Sequence, residues 1–175
     1  MKKVEILNYA EELAERYNPE GLSPFPYEKI EQERANLNIY VIEIEDKEIS
    51  GAISFDKEEQ KFKIIINKDK PFTRRHFTIA HEIGHYFLHQ QIILQEEVLI
   101  DSDEAFRQNI LFRLDGQQYS KIETEANYFA AALIMPEKLV KKAWETFKNI
   151  EECANLFNVS TTAMSIRLET LGLVS

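Results

Sequence analysis

The sequence predicts an α+β fold, with one small, mostly antiparallel sheet of about three strands packed by helices and a helical C-terminal tail. Three observations lead there. The 175 residues, 44% hydrophobic and 29% charged, suit a single globular domain with a real core. The apolar period changes from helical to alternating and back to helical along the chain. No internal repeat or low-complexity tract interrupts that order.

The elements follow in sequence. Residues 2 to 17 set Val4, Leu7, Leu13 and Tyr17 among glutamates, a weakly amphipathic helix stopped by Asn18-Pro19-Glu20-Gly21. A connector holding Pro19, Pro24 and Pro26 leads to helix-like spacing from Ile30 to about Leu37. Ile39 to Ile44, Ile49 to Phe55 and Phe62 to Ile66 are β-branched or aromatic runs split by charged turns, as expected for an antiparallel meander. Phe72 to about His89 reads as helix again. Residues 90 to 120 fit either a strand or an irregular packed segment. Lys121 to Met135 is Ala-rich and helical, and Pro136 both ends it and opens the next helix, to about Phe147. Two short helices finish the chain, with Asn158-Val159-Ser160 as turn and cap. The expected division is a main domain over residues 1–148 and a tail over 149–175 packed on it.

Composition narrows the function. The longest apolar run, Tyr128 to Met135, is far short of the roughly 18–20 residues of a membrane span, and Lys2-Lys3 leads into no apolar stretch, so no membrane association and a cytoplasmic location are expected. Cys153 is the only cysteine, which excludes an intramolecular disulfide and a multi-cysteine zinc site. The formal charge of -9 disfavours a polyphosphate partner. Residues 136–175 carry five basic and five acidic side chains, so the excess acid lies in the first 135 residues.

All four histidines, His76, His81, His85 and His89, fall within fourteen residues. His81-Glu82-Ile83-Gly84-His85 is the H-E-x-x-H spacing on a segment that reads independently as helix. At about 100° per residue, His85 sits only about 40° round from His81 and one turn along, so both imidazoles can close on one ion. Glu82, about 100° away, stands beside that ion, where a carboxylate can accept a proton from water. Ala80, Ile83, Gly84 and Phe87 form an apolar stripe opposite. Gly84 weakens the helix by about 1 kcal/mol against alanine, which points to close packing by another element. His89 is about 12 Å along the axis from His81, too far to share the ion. His76 is turned about 140° away and is expected to pack or to face solvent.

A catalytic Zn²⁺, one per chain, wants a third protein ligand and an open position. The extended string H-E-x-x-H-x-x-G-x-x-H fails at Leu88 and Gln91, so the ligand should be a carboxylate from elsewhere. Glu123 and Glu125 lie about 200° apart on one helix, so a single face cannot present both. Glu123 flanks the stripe Ala126, Ala130, Leu133 and is favoured; Glu125 looks like a solvated charge, and Glu96 and Glu97 are further alternatives.

The strings Arg74-Arg75-His76-Phe77-Thr78-Ile79-Ala80-His81-Glu82-Ile83-Gly84-His85-Tyr86 and Glu123-Thr124-Glu125-Ala126-Asn127-Tyr128-Phe129-Ala130-Ala131-Ala132-Leu133-Ile134-Met135-Pro136 resemble the two signatures of the ImmA/IrrE family of metallopeptidases. The resemblance covers about residues 20 to 175. It implies a zincin-like catalytic helix with His81, His85 and Glu123 as zinc ligands and Glu82 as catalytic base. It also implies a cytoplasmic zinc endopeptidase that cleaves a helix-turn-helix repressor and so relieves repression. His76 departs from the arginine common before Phe-Thr. Tyr86, His89, Tyr119, Asn127 and Tyr128 are candidates for orienting a ligand or meeting the oxyanion. The same resemblance allows a second reading, a non-proteolytic metal-bound regulator or toxin-like partner that binds a repressor, an antitoxin or DNA. The tail from Ile150 to Leu173 itself looks like a helix-turn-helix, but its recognition helix has only Arg167 as a base, so DNA binding is not expected. Oligomeric state is not legible.

Overall fold

A computed structural model describes residues 1–96, 98–102 and 116–174. The order is α1 (Lys3–Tyr17), α2 (Glu28–Glu33), β1 (Leu37–Ile42), β2 (Ile49–Asp56), β3 (Lys61–Asn67), α3 (Phe72–Leu88), α4 (Gln90–Glu96), β4 (Val98–Ser102), α5 (Gly116–Ile134), α6 (Glu137–Phe147), α7 (Ile150–Phe157) and α8 (Thr161–Thr170). This is the α+β class that the sequence predicts.

Helix α1 buries Ile6, Ala10, Leu13, Ala14 and Tyr17, one continuous i, i+4 stripe, while Val4 is exposed. Of the apolar residues that the sequence pattern singles out, Leu13 and Tyr17 lie on this face, and Ile6, Ala10 and Ala14 complete it. After the connector, the sheet runs β1-β3-β2-β4. The β2–β3 hairpin is antiparallel and pairs Gly51 with Ile66, Ile53 with Ile64 and Phe55 with Phe62 on one face. Its turn is held by Asp56, whose Oδ1 accepts from the Glu58 and Glu59 amides at 2.9 and 3.0 Å. Strand β4 adds antiparallel to β2.

Strand β1 departs from the expected meander, because it lies parallel to β3 rather than beside β2. Two contacts anchor it there: Phe62 N donates to Asn36 O, and Lys68 N to Ile42 O, each at 2.8 Å. The segment at 90–102, ambiguous by sequence, becomes the short helix α4 followed by the edge strand β4.

Helix α3 lies on the face formed by Ile53, Phe62, Ile64 and Ile66, all buried. A Cβ at Gly51 would stand 2.6 Å from Thr78 Cγ2, so glycine lets β2 approach the helix. Helix α5 packs across the far side of α3. The tail joins the same core through Cys153, Phe157, Met164 and Leu168. Ser160 caps α8 as the sequence predicts, its Oγ accepting from Ala163 N, and Asn149 caps α7, its Oδ1 accepting from Glu152 N, each at 3.1 Å. Arg167 is 2% exposed; it donates through Nε to Met135 O (2.9 Å) and through a terminal nitrogen to Glu11 Oε1 (2.6 Å).

His76 is buried and ties three segments together. Its Nε2 accepts from Phe25 N (3.1 Å), so its Nδ1 carries the hydrogen and donates to Asn158 O (3.0 Å), while its carbonyl accepts from the Tyr27 hydroxyl (2.7 Å). Burial pushes its pKa down, against the hydrogen bond to Asn158. A depressed histidine pKa means that the unfolded chain binds the proton more readily. The stabilisation is therefore complete above about pH 6.5 and is lost as pH falls through that value toward the folded one. Urea unfolding at pH 7.5 and pH 5 checks this: His76→Gln is expected to be less stable at pH 7.5 yet to lose less on acidification than the wild type.

Candidate metal centre

The centre is built by two crossed helices. Nearly every residue from His76 to Tyr86 is buried, because α3 is covered by the sheet on one side and α5 on the other. The close approach needs Gly84. A Cβ there would sit 3.2 Å from Ala126 O and from Phe129 Cδ1, with Ala126 Cα at 3.3 Å. Gly84→Ala should gain about 1 kcal/mol of helix propensity but incur roughly 2–3 kcal/mol of overpacking, a net loss of about 1–2 kcal/mol in urea unfolding. Because α5 carries the facing carboxylate, weaker metal uptake should accompany that loss.

That crossing brings His81, His85 and Glu123 together, with one ligand atom of each lying within 4.8 Å of the others. The two Nε2 atoms are 3.0 Å apart; Glu123 Oε2 is 3.2 Å from His81 Nε2, and its Oε1 is 3.2 Å from His85 Nε2. Burial holds His85 neutral, with a pKa of about 4, leaving a nitrogen lone pair for a cation. Burial opposes ionisation of Glu123, but the close approach of the His81 and His85 ring nitrogens outweighs it and holds the carboxyl well below the ordinary range. Two imidazoles and a carboxylate suit a borderline divalent ion such as Zn²⁺. Glu82, 1% exposed, occupies the helix position directly after His81.

The remaining candidates divide. Asn127 Oδ1 lies 2.9 Å from His81 Nδ1. His89 Nδ1 lies 3.0 Å from His85 Nδ1. Tyr86 turns the other way and donates to Asn36 Oδ1 (2.8 Å), a contact that fastens α3 to the start of β1. Tyr128 carries Lys3 Nζ over its ring at 4.5 Å. Glu97 lies outside the described residues, as do the side chains of Glu96 and Tyr119. Glu125 is not the solvated charge it looks like in sequence: its side chain is 13% exposed, with Oε2 3.0 Å from His89 Nε2 and Oε1 3.2 Å from the Met1 ammonium. No sequence signal marked that pairing, since it depends on how α5 crosses α3.

Residues 32–169 match the family model of peptidase family M78, the IrrE N-terminal-like domain. The chain belongs to this ImmA/IrrE metallopeptidase family. It is 27% identical over 136 residues to metallopeptidase ImmA of Bacillus subtilis, covering 77% of this chain and 71% of that one. It is 34% identical over 95 residues to the radiation response metalloprotease IrrE of Deinococcus radiodurans, covering 54% of this chain and 25% of that one. Uncharacterized immunity region protein 2 of Bacillus phage phi105 is 31% identical over 104 residues, 59% of this chain and 53% of its own. The fold is similar to that of a Mycobacterium tuberculosis transcriptional regulator, with a TM-score of 0.63 at 15% identity over 94% of this chain and 47% of that one. Family membership implies a metal cofactor, and the donor set of His81, His85 and Glu123 fits one. Among the described residues, no helix is long and apolar enough to cross a membrane.

Proposed function

We propose that this protein is a zinc-dependent endopeptidase that cleaves a helix-turn-helix transcriptional repressor and so relieves repression. The observation that carries the proposal is the convergence of His81 and His85 on α3 with Glu123 on α5, with Glu82 next to His81 on α3. In this reading the three residues hold one Zn²⁺. Bound there, the ion supplies Lewis acidity to the scissile carbonyl and makes water a better nucleophile. Glu82 takes a proton from the attacking water and passes it to the leaving amine nitrogen as the C–N bond breaks. Neutral His85 and ionised Glu123 suit their roles as ligands.

A cleft of about 470 Å³ lies between α1, α3, α5 and α8; none of His81, Glu82, His85 or Glu123 lines it, and Asn127, which meets His81, is its link to the centre. Phe77, Thr124, Asn127 and Tyr128 line it together with Ala163 and Ile166 of the tail, and its apolar walls suit side chains of a peptide. The net charge of -9 favours a basic partner, such as a DNA-binding repressor. The relatives ImmA and IrrE carry metallopeptidase names.

The second reading is a metal-bound regulator that binds a repressor, an antitoxin or DNA without hydrolysis. Its DNA form is disfavoured by Arg167, the only base of the recognition helix, whose guanidinium is committed to Glu11 and Met135. Incubating the zinc-loaded protein with candidate helix-turn-helix repressors from the same genome, then weighing the products, separates the two. Two fragments summing to the repressor plus one water support the endopeptidase; an intact repressor in a stable complex supports the regulator.

A further inference from the structure

We propose that Glu125, acting through His89, positions His85 and sets which of its nitrogens is free to bind the metal. The contacts form a line. Glu125 Oε2 meets His89 Nε2 at 3.0 Å, His89 Nδ1 meets His85 Nδ1 at 3.0 Å, and His85 Nε2 is one of the three converging ligand atoms.

Two ring nitrogens facing each other at 3.0 Å share one hydrogen, so one ring donates and the other accepts. An ionised carboxylate only accepts, which places a hydrogen on His89 Nε2. A neutral His89 then presents a lone pair at Nδ1. His85 must donate its Nδ1–H to that lone pair, and its own lone pair falls on Nε2, toward Glu123 and His81. Reversing the line, with His89 Nδ1 as donor, would put the His85 hydrogen on the ligand nitrogen and close the site. The carboxylate at the outer end selects the competent tautomer and fixes the ring plane. Both imidazoles are buried, so no solvent water competes for the contact.

His81 is held differently, through Nδ1 to the amide oxygen of Asn127 at 2.9 Å. One ligand thus depends on a neutral amide and the other on a charged carboxylate acting through a second imidazole. The geometry explains how the two glutamates of α5 serve one centre from different sides of the helix: Glu123 meets His81 and His85, while Glu125 meets His89 at the C-terminal end of α3. His89 has left helical geometry, with φ -128° and ψ 21°, which lets its ring lie between them. Both Glu125 and His89 are positioning residues, and the proposal rests on the metal reading given above but not on proteolysis.

The test is zinc affinity, measured by competition with a chromogenic chelator on the full chain, together with the thermal midpoint of the metal-free protein. His89→Phe, which keeps a ring but removes both nitrogens, and Glu125→Ala are each expected to weaken zinc binding about 10–100-fold. Glu125→Gln, whose amide oxygen still accepts, should recover most of the loss. The metal-free midpoint of Glu125→Gln and His89→Phe should stay close to that of the wild type. Wild-type affinity in His89→Phe and Glu125→Ala overturns the relay while leaving the metal site standing. A drop in the metal-free midpoint with unchanged affinity assigns the pair a packing role and also overturns it. If the wild-type chain binds no zinc, the metal reading falls and the relay with it, whatever the cleavage assay shows.

Discussion

Replacing Glu82 with glutamine is expected to leave zinc uptake intact and to lower cleavage of the cognate repressor by about 10²–10⁴-fold. Glutamine has nearly the same shape as glutamate, so the tight space at a residue 1% exposed is preserved. It cannot take a proton from water. Glu82 is not one of the three residues whose ligand atoms converge, so metal content should not move. Elemental analysis of the purified variant, beside a time course of repressor cleavage, reads both quantities. Cleavage at the wild-type rate would remove Glu82 from the mechanism, and loss of zinc would recast it as a ligand.

The second large effect is expected at Glu123. Its two oxygens each stand 3.2 Å from a different imidazole nitrogen, so Glu123→Ala removes one of the three proposed ligands. The affinity loss should exceed the roughly 10–100-fold typical of residues that only orient a ligand. Stability gives an independent reading. Zinc at about a hundred times its dissociation constant should add about 2.7 kcal/mol to the unfolding free energy of the wild type and almost nothing to that of Glu123→Ala. Glu125→Ala should still show a zinc-dependent rise once enough metal is supplied. If Glu123→Ala keeps the wild-type zinc response, the assignment of the third ligand is wrong.

The parts of this molecule legible in the sequence are those fixed by local geometry. The pairing of His81 with His85 follows from 3.6 residues per turn, and close packing at Gly84 from the weakness of glycine in a helix. Glu123 could be favoured over Glu125 as a ligand from its place beside the stripe Ala126, Ala130, Leu133, although Glu125 proves to meet a histidine too. Features that depend on contacts between distant segments were not legible. Strand β1 joins β3 in parallel because of hydrogen bonds from Phe62 and Lys68, which no local pattern encodes. Glu125 looks like a solvated charge by periodicity, yet it is covered once α5 crosses the end of α3 and His89 swings toward it. Arg167 reads as the lone base of a recognition helix until Glu11, 156 residues earlier, is placed against it. In α1 the small residues Ala10 and Ala14 join the buried face while Val4 is exposed, which a count of large apolar residues does not reveal.

The central claim is that His81, His85 and Glu123 together hold a single metal ion and leave a coordination position open. Anomalous diffraction at the zinc edge from crystals of the zinc-loaded protein tests it most directly. The account predicts one strong peak per chain, about 2.0–2.2 Å from His81 Nε2, His85 Nε2 and a Glu123 oxygen, with no fourth protein ligand. A peak bonded to Glu125 or His89 in place of Glu123, or a fourth protein side chain closing the coordination sphere, would contradict it.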